Sequence, residues 1–208
     1  MDTILEFALD LIVAAKSLRT LCVNWHSSSA AETFFEKLGQ MEGLPRISDL
    51  RIDKQRHISQ NTLLAVLSRL GDSLKSLSFW WIELDIGQWK SLLAELPSKV
   101  PLLEQVVILE CFEDLAPAQQ VLFCPLLRSP RVEDYSEFEF VKFRFKRKER
   151  ATGVRYRGKG MTFALSYIHD SIYLMNLKGQ QADFIPGQDG LLAPDRMRFW
   201  SSTKKFNI

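Results

Sequence analysis

Residues 47–108 read ISDLRIDKQRHISQNTLLAVLSRLGDSLKSLSFWWIELDIGQWKSLLAELPSKVPLLEQVVI. An L-x-x-L-x-L pattern occurs three times in this stretch, as Ile47-Leu50-Ile52, Leu74-Leu77-Phe79 and Leu103-Val106-Ile108. A short strand with one buried face gives this spacing, because successive strand side chains point to opposite sides. Between the strands the period changes. Leu63, Val66, Leu67 and Leu70 fall at i, i+3, i+4, i+7, and so do Trp89, Leu92, Leu93 and Leu96. Each set makes an apolar stripe on a helix. Ser59 is placed to cap the first helix, and Asp85 with Gln88 resembles a capping box for the second.

The pattern extends outward in both directions. Leu18-Leu21-Val23 is a further strand, so the units start at Leu18, Ile47, Leu74 and Leu103, steps of 29, 27 and 29 residues. Leucine-rich repeats recur every ~20–29 residues. Phe34, Leu38 and Met41 form the helix of the first unit, and Leu5, Leu9 and Ile12 belong to a helix preceding it. Ala118, Val121 and Leu122 sketch a fourth helix that Pro125 interrupts. A lone strand–helix unit cannot bury its apolar face, whereas stacked units close one continuous core. The expected architecture is an α/β, leucine-rich-repeat-like solenoid with parallel strands on one side and helices on the other. The competing reading is an ordinary α/β domain with chance spacing.

Beyond Pro130 the signal becomes strand-like. Phe138 and Phe140, then Phe143 and Phe145, alternate with charged residues, with a phase slip near Val141 that predicts a bulge. A charged turn around Lys148, Glu149 and Thr152-Gly153, followed by Val154-Arg155-Tyr156, completes a predicted hairpin that extends the sheet. Residues 161–175 are expected to be helical, with Met161, Leu165, Ile168 and Ile172 on one face. Hairpin and helix together would cap the stack. The division expected is 1–182 for the solenoid with its cap and 183–208 for an irregular tail containing Pro186-Gly187 and Asp189-Gly190.

Composition narrows the class. Apolar residues make up 46% and charged residues 25%, which excludes global disorder, and a net charge of +2 does not by itself imply a polyanionic partner. Cys22, Cys111 and Cys124 form no CxxC or CxxH pair, so neither a disulfide framework nor a zinc site is expected. This favours a reducing compartment, cytoplasmic or nuclear. Asp2, Glu6 and Asp10 break the apolar N-terminus, which does not read as a secretory signal, and no run reaches the length of a membrane span.

Residues 58–67 (ISQNTLLAVL), 86–96 (IGQWKSLLAEL), 100–104 (VPLLE) and 153–161 (GVRYRGKGM) together resemble the repeat region of filamentous-fungal F-box and leucine-rich-repeat-like proteins. The resemblance covers about residues 12–175. It implies the recognition portion of such a protein, binding another protein of unknown identity. A ubiquitin-ligase adaptor would be a partner only through an F-box outside this chain. The Leu-Pro and amphipathic helical run of an F-box are not found near the start.

The outward strand positions are the candidate contact surface: Thr20, Cys22, Asn24; Asp49, Arg51, Asp53; Ser76, Ser78, Trp80; and Gln105, Val107, Leu109. Trp80, Val107 and Leu109 would make an apolar anchor beside Asp49, Arg51 and Asp53, with Ser78 between, as in a protein-binding hot spot. The plainer alternative sends Trp80 or Trp81 into the core. The basic stretch 142–159, with Phe143, Phe145 and Tyr156 interleaved, fits either a nucleic-acid contact or an edge strand whose lysines discourage aggregation. No catalytic site, cofactor or metal is expected: His26, His57 and His169 stand far apart, no G-x-S-x-G elbow occurs, and Gly158-Lys159-Gly160 lacks the rest of a phosphate loop.

Overall fold

The computed structural model describes residues 2–24, 28–56, 58–85, 87–114, 119–123, 137–145, 148–176 and 200–201. In chain order these form α1 (Asp2–Ala14), β1 (Thr20–Asn24), α2 (Ser28–Gln40), β2 (Asp49–Asp53), α3 (Gln60–Leu70), β3 (Ser76–Trp80), β4 (Glu83–Asp85), α4 (Gln88–Lys99), β5 (Gln105–Leu109), β6 (Phe112–Asp114), β7 (Gln119–Phe123), β8 (Glu137–Phe145), β9 (Lys148–Arg157), α5 (Met161–Ser171), β10 (Ile172–Asn176) and β11 (Trp200–Ser201). The fold is mixed α/β. β1, β2, β3 and β5 lie side by side and parallel, β9 joins β5 antiparallel, and β8 pairs with β9. Among the described residues the sheet does not close into a barrel.

The parallel strands share one register. Leu21, Leu50, Leu77 and Val106 form one row and Val23, Ile52, Phe79 and Ile108 the next. From Leu50 to Ile108 every member of these rows is at most 1% exposed. The helices cover this face with Phe35, Leu38, Leu63, Leu67, Leu92 and Leu96, all buried. Removing one such Leu side chain costs about 2–5 kcal/mol, since a close-packed wall relaxes little around the cavity.

Backbone hydrogen bonds repeat with the sequence. The carbonyls of Arg19, Ser48 and Lys75 each accept two N–H groups from the following unit, at 2.8–3.0 Å. At the other end of the strands, Lys54, Trp81 and Glu110 take φ values of 53°, 55° and 50°. Their N–H groups donate to the carbonyls of Trp80, Leu109 and Thr152 at 2.8, 3.0 and 2.8 Å. An L-residue there is strained by about 1–2 kcal/mol, and the bond to the neighbouring strand holds it. This left-handed residue turns the chain off the sheet, and short second strands follow Trp81 and Glu110. β4 and β6 pair in parallel and were not foreseen, being three residues each.

The helix N-termini are tied unit to unit. Ser59 caps α3, its Oγ accepting from Thr62 N–H at 3.1 Å, as its position predicted. Glu32 of α2 accepts from Ser59 N–H at 3.2 Å and from the Thr62 hydroxyl at 2.7 Å. Gln60 in turn reaches forward, its N–H donating to Gln88 Oε1 at 2.9 Å and its amide to Ser91 and Glu95 at 2.8 and 3.0 Å.

Four expectations need correction. Asp85 is not the cap of α4: it ends β4 and accepts from the Gln88 side chain, while Gly87, at φ 75°, precedes the helix. The cap is Glu113 of β6, whose carboxylate accepts Gly87 N–H at 2.8 Å and Trp89 N–H at 3.3 Å. Val121 and Leu122 lie on strand β7, not a helix, because pairing with β6 and β10 supplies the backbone partners there; Ala118 and Pro125 lie outside the described residues. Lys148, Glu149, Thr152 and Gly153 lie on strand β9, not in a turn, and Thr152 is the residue passed over at the register shift. The last helix stops at Ser171, and Ile172 and Met175 belong to β10. The bulge near Val141 is present, as a register shift between Val141 and Lys142. Of the segment 183–208, only Trp200 and Ser201 are described, paired with β8.

Candidate functional site

The sheet face opposite the helices carries the outward rows in the expected register. Thr20, Asp49, Ser76 and Gln105 align, then Cys22, Arg51, Ser78 and Val107, then Asn24, Asp53, Trp80 and Leu109. β9 continues the rows with Arg157, Arg155 and Gly153, and β8 adds Glu137, Glu139 and Val141. Tyr156 and Val154 are fully buried on the core side, and this pins Arg155 and Arg157 outward through the two-residue strand period.

At the centre of this face Arg51 is held on two sides. Asp53 accepts its Nε hydrogen with both carboxylate oxygens, at 2.8 and 2.9 Å. The guanidinium lies over the Trp80 ring, 3.9 Å from the centroid. Such a stack contributes about 0.5–2 kcal/mol and fixes the long side chain in one orientation. Asp53 is 8% exposed although it points outward, and its hydrogen bond keeps Arg51 firmly charged. Asp49 stands apart, accepting from the Ser48 hydroxyl at 2.6 Å. Cys22, beside Arg51, is exposed; partial burial first and the Asp53 charge second push its thiol above the ordinary range, and Arg51 opposes them.

Next to this stack is an open hollow of about 240 Å³. Ser78, Gln105 and Val107 line it from the central strands, with Arg51 and Trp80 on one side and Arg155 and Arg157 on the other. Arg155 Nη1 stands 3.7 Å from Glu139 Oε2.

The candidate residues therefore divide. Arg51, Asp53 and Trp80 are in contact, and Arg51, Ser78, Trp80 and Val107 share the hollow. Trp80 is half-buried on the outer face, not in the core; Trp81 is 51% exposed and packs edge-on against Phe112 at 6.3 Å. Val107 corrects the expected apolar anchor: at 4% exposed it is closed over, in the row between Ser78 and Arg155. Leu109 folds across the β9 backbone, where a Cβ on Gly153 would come within 2.3 Å of Leu109 Cδ2. Arg155 and Arg157 were not singled out individually; the strand alternation around Tyr156 is the signal that marks them as outward.

For the basic stretch 142–159, β8 and β9 are paired as a hairpin, while Lys146 and Arg147 lie outside the described residues. His26, His57 and Cys124 also lie outside them. Cys111 is a free, fully buried thiol whose pKa burial drives far upward. Among the described residues no three His, Cys, Asp or Glu side chains gather as metal ligands would, and no helix is long and apolar enough to cross a membrane. Comparison of the chain with family models, with curated proteins and with solved structures found no match.

Proposed function

We propose that this chain is an arc of a leucine-rich-repeat-like solenoid that binds another protein on its strand face, as the recognition portion of an intracellular, cytoplasmic or nuclear, fungal F-box-type protein. The observation that carries the reading is the Arg51–Trp80 stack beside the hollow. An arginine and a tryptophan are held rigid, half-exposed, at the middle of a face whose rows run in register across six strands. Arginine and tryptophan dominate binding hot spots because they bury much area from a fixed conformation. The repeated spacing, the repeated left-handed turn and the unit-to-unit hydrogen bonds support the solenoid part of the reading. On this reading the chain is a binding surface without catalytic residues or cofactor. The ligase link is carried by the resemblance alone, and a stand-alone scaffold would use the same face.

The test is capture of partners from a fungal lysate by the wild-type chain and by a Trp80→Asp, Leu109→Asp variant whose fold is checked by circular dichroism. Partners held by the wild type and lost by the folded variant support recognition on this face; recovery of ligase subunits among them extends the reading to the F-box role. Identical partners on both baits refute it. Nucleic-acid binding through 142–159 predicts affinity that collapses with salt and with Lys142→Ala, Arg144→Ala, Lys146→Ala and Arg147→Ala together.

A further inference from the structure

We infer that two copies of this chain associate through the end formed by α1 and β1, about a two-fold axis normal to the sheet. α1 is apolar on two sides. Leu5, Leu9 and Ile12 are buried in the core, while Ile4, Phe7 and Leu11 are 68%, 69% and 58% exposed on the other side. Ala14, also exposed, completes a series at i, i+3, i+7, i+10, the spacing of a helix seam that closes on another helix. The core beside it is unfinished. Leu21 is half-buried, whereas Leu50, Leu77 and Val106 in the same row are at most 1% exposed. The strand layer is open at the same end: among the described residues β1 pairs with β2 alone. The Arg19 carbonyl accepts Asp49 N–H from the β2 side. By strand alternation Leu21 and Val23 also turn their backbone groups to β2, and Thr20, Cys22 and Asn24 turn theirs to the open edge. Natural edges carry Lys, Pro or bulges that discourage pairing. β1, Thr-Leu-Cys-Val-Asn in an unbroken register, has none of these.

Self-complementarity selects the occupant. A two-fold contact sets one patch against itself, so β1 meets the partner's β1 antiparallel. Centred on Cys22, the operation places Leu21 opposite the partner's Val23 and Thr20 opposite the partner's Asn24. The apolar row continues on one face and an uncharged row on the other, and the free backbone groups of the two edges face each other. In the helix layer, the same operation centred near Leu9 sets Phe7 against the partner's Leu11 and Ile4 against the partner's Ala14. Large side chains meet smaller ones, and the paired positions carry no charge. α1 is ~20 Å long and β1 ~17 Å, so one axis through both midpoints serves both layers. A different occupant would have to bring a free strand edge and an apolar helix face at the same spacing; a second copy brings both. α1 and β1 contribute 13 and 5 residues, short of the roughly 20–30 a side in a standard interface, so the dissociation constant should be on the order of 10–100 µM.

The test is sedimentation equilibrium of the full chain at concentrations spanning that constant, with the mass expected to rise from one chain to two. Phe7→Glu should weaken the dimer about thirtyfold or more, as loss of a central anchor does. Cys22→Lys sets two ammonium groups opposite each other across the axis and should weaken it several-fold. Leu102→Glu, at a leucine 48% exposed outside α1 and β1, should leave it unchanged. Above the dissociation constant a short bis-maleimide should join the two Cys22 thiols, and Cys22→Ser should remove that product. If circular dichroism shows Phe7→Glu unfolded, Phe7→Ala with Leu11→Ala takes its place. A chain that stays monomeric throughout overturns the inference. So does a dimer indifferent to the folded α1 variant, or one whose Cys22 thiols do not cross-link. Each of these outcomes leaves recognition on the outward strand face standing, since that reading fails only through Trp80→Asp, Leu109→Asp.

Discussion

Glu113→Ala should be among the most damaging single substitutions of a polar residue in this chain. Glu113 is 1% exposed and closes the N-terminus of α4 from the strand beneath, taking Gly87 N–H and Trp89 N–H. Alanine leaves both donors unpaired. Gly87 is exposed and water can replace the lost bond, but Trp89 is fully buried, and a stranded donor there costs about 1–3 kcal/mol. Losing a side-chain cap costs about 0.5–2 kcal/mol and overlaps with that figure. Relief of the carboxylate's own desolvation returns part of the loss. The net expectation is about 2 kcal/mol, which for a chain of this size lowers the melting temperature by about 4–8 °C. The assay is urea unfolding followed by circular dichroism, where the midpoint should fall at unchanged slope. A loss below about 0.5 kcal/mol, the scale of an ordinary surface change, would refute the cap. The same group makes a pH prediction. Burial raises its pKa from the ordinary 4.5, against the opposing pull of the two N–H bonds and Lys90. An acid with a raised folded pKa contributes its full stability below the unfolded value and loses it as pH rises through the folded value. The stability of the wild type relative to Glu113→Gln should therefore decline as pH climbs from about 4.5 upward. A difference that grows over that interval would contradict the burial argument.

Two further predictions concern the strand face and its turns. Alkylation mapped by mass spectrometry should modify Cys22 in the folded chain well before Cys111, which is fully buried. Asp53→Asn should speed Cys22 alkylation near pH 8 by removing the charge that raises its pKa, and a slower reaction would contradict that electrostatic assignment. At Lys54, with φ at 53° and an exposed side chain, glycine should be neutral or stabilising by up to about 1 kcal/mol, whereas valine should cost about 1–2 kcal/mol. Equal urea midpoints for the two variants would remove the left-handed turn from the account.

The repeated core was legible because it is written twice in each unit, once as strand alternation and once as a helical stripe, and the two periods cannot be confused over several units. The short strands β4 and β6 were not, since three residues carry too little pattern to separate a strand from a polar loop. The cap of α4 was misread for a related reason. Asp85 and Gln88 have the right spacing, but the carboxylate that serves the helix comes from Glu113, more than twenty residues later in the chain. Residues around Val121 mislead in the opposite sense, because a helical stripe and a β-strand are both compatible with so short an apolar run, and the pairing of β7 with β10 decides the outcome.

Why the hollow escaped the outward list follows from how the face is assembled. Within β1, β2, β3 and β5 each unit predicts the next, because a constant step makes the outward residues of one strand neighbours of those in another. Arg155 and Arg157 enter from β9, which runs antiparallel and belongs to no repeat, so nothing in the step of 27 or 29 residues places them. Their position is fixed by the other face. With Val154 opposite Ile108 and Tyr156 opposite Val106, a slip of one residue would turn both arginines into the core and expose Tyr156, whose hydroxyl donates to the Lys159 carbonyl at the approach to α5. The burial of two apolar side chains therefore determines where two charges stand. It also closes Val107, which in an isolated row would have been open: the strand that pairs with β5 brings the arginines that border the space above it.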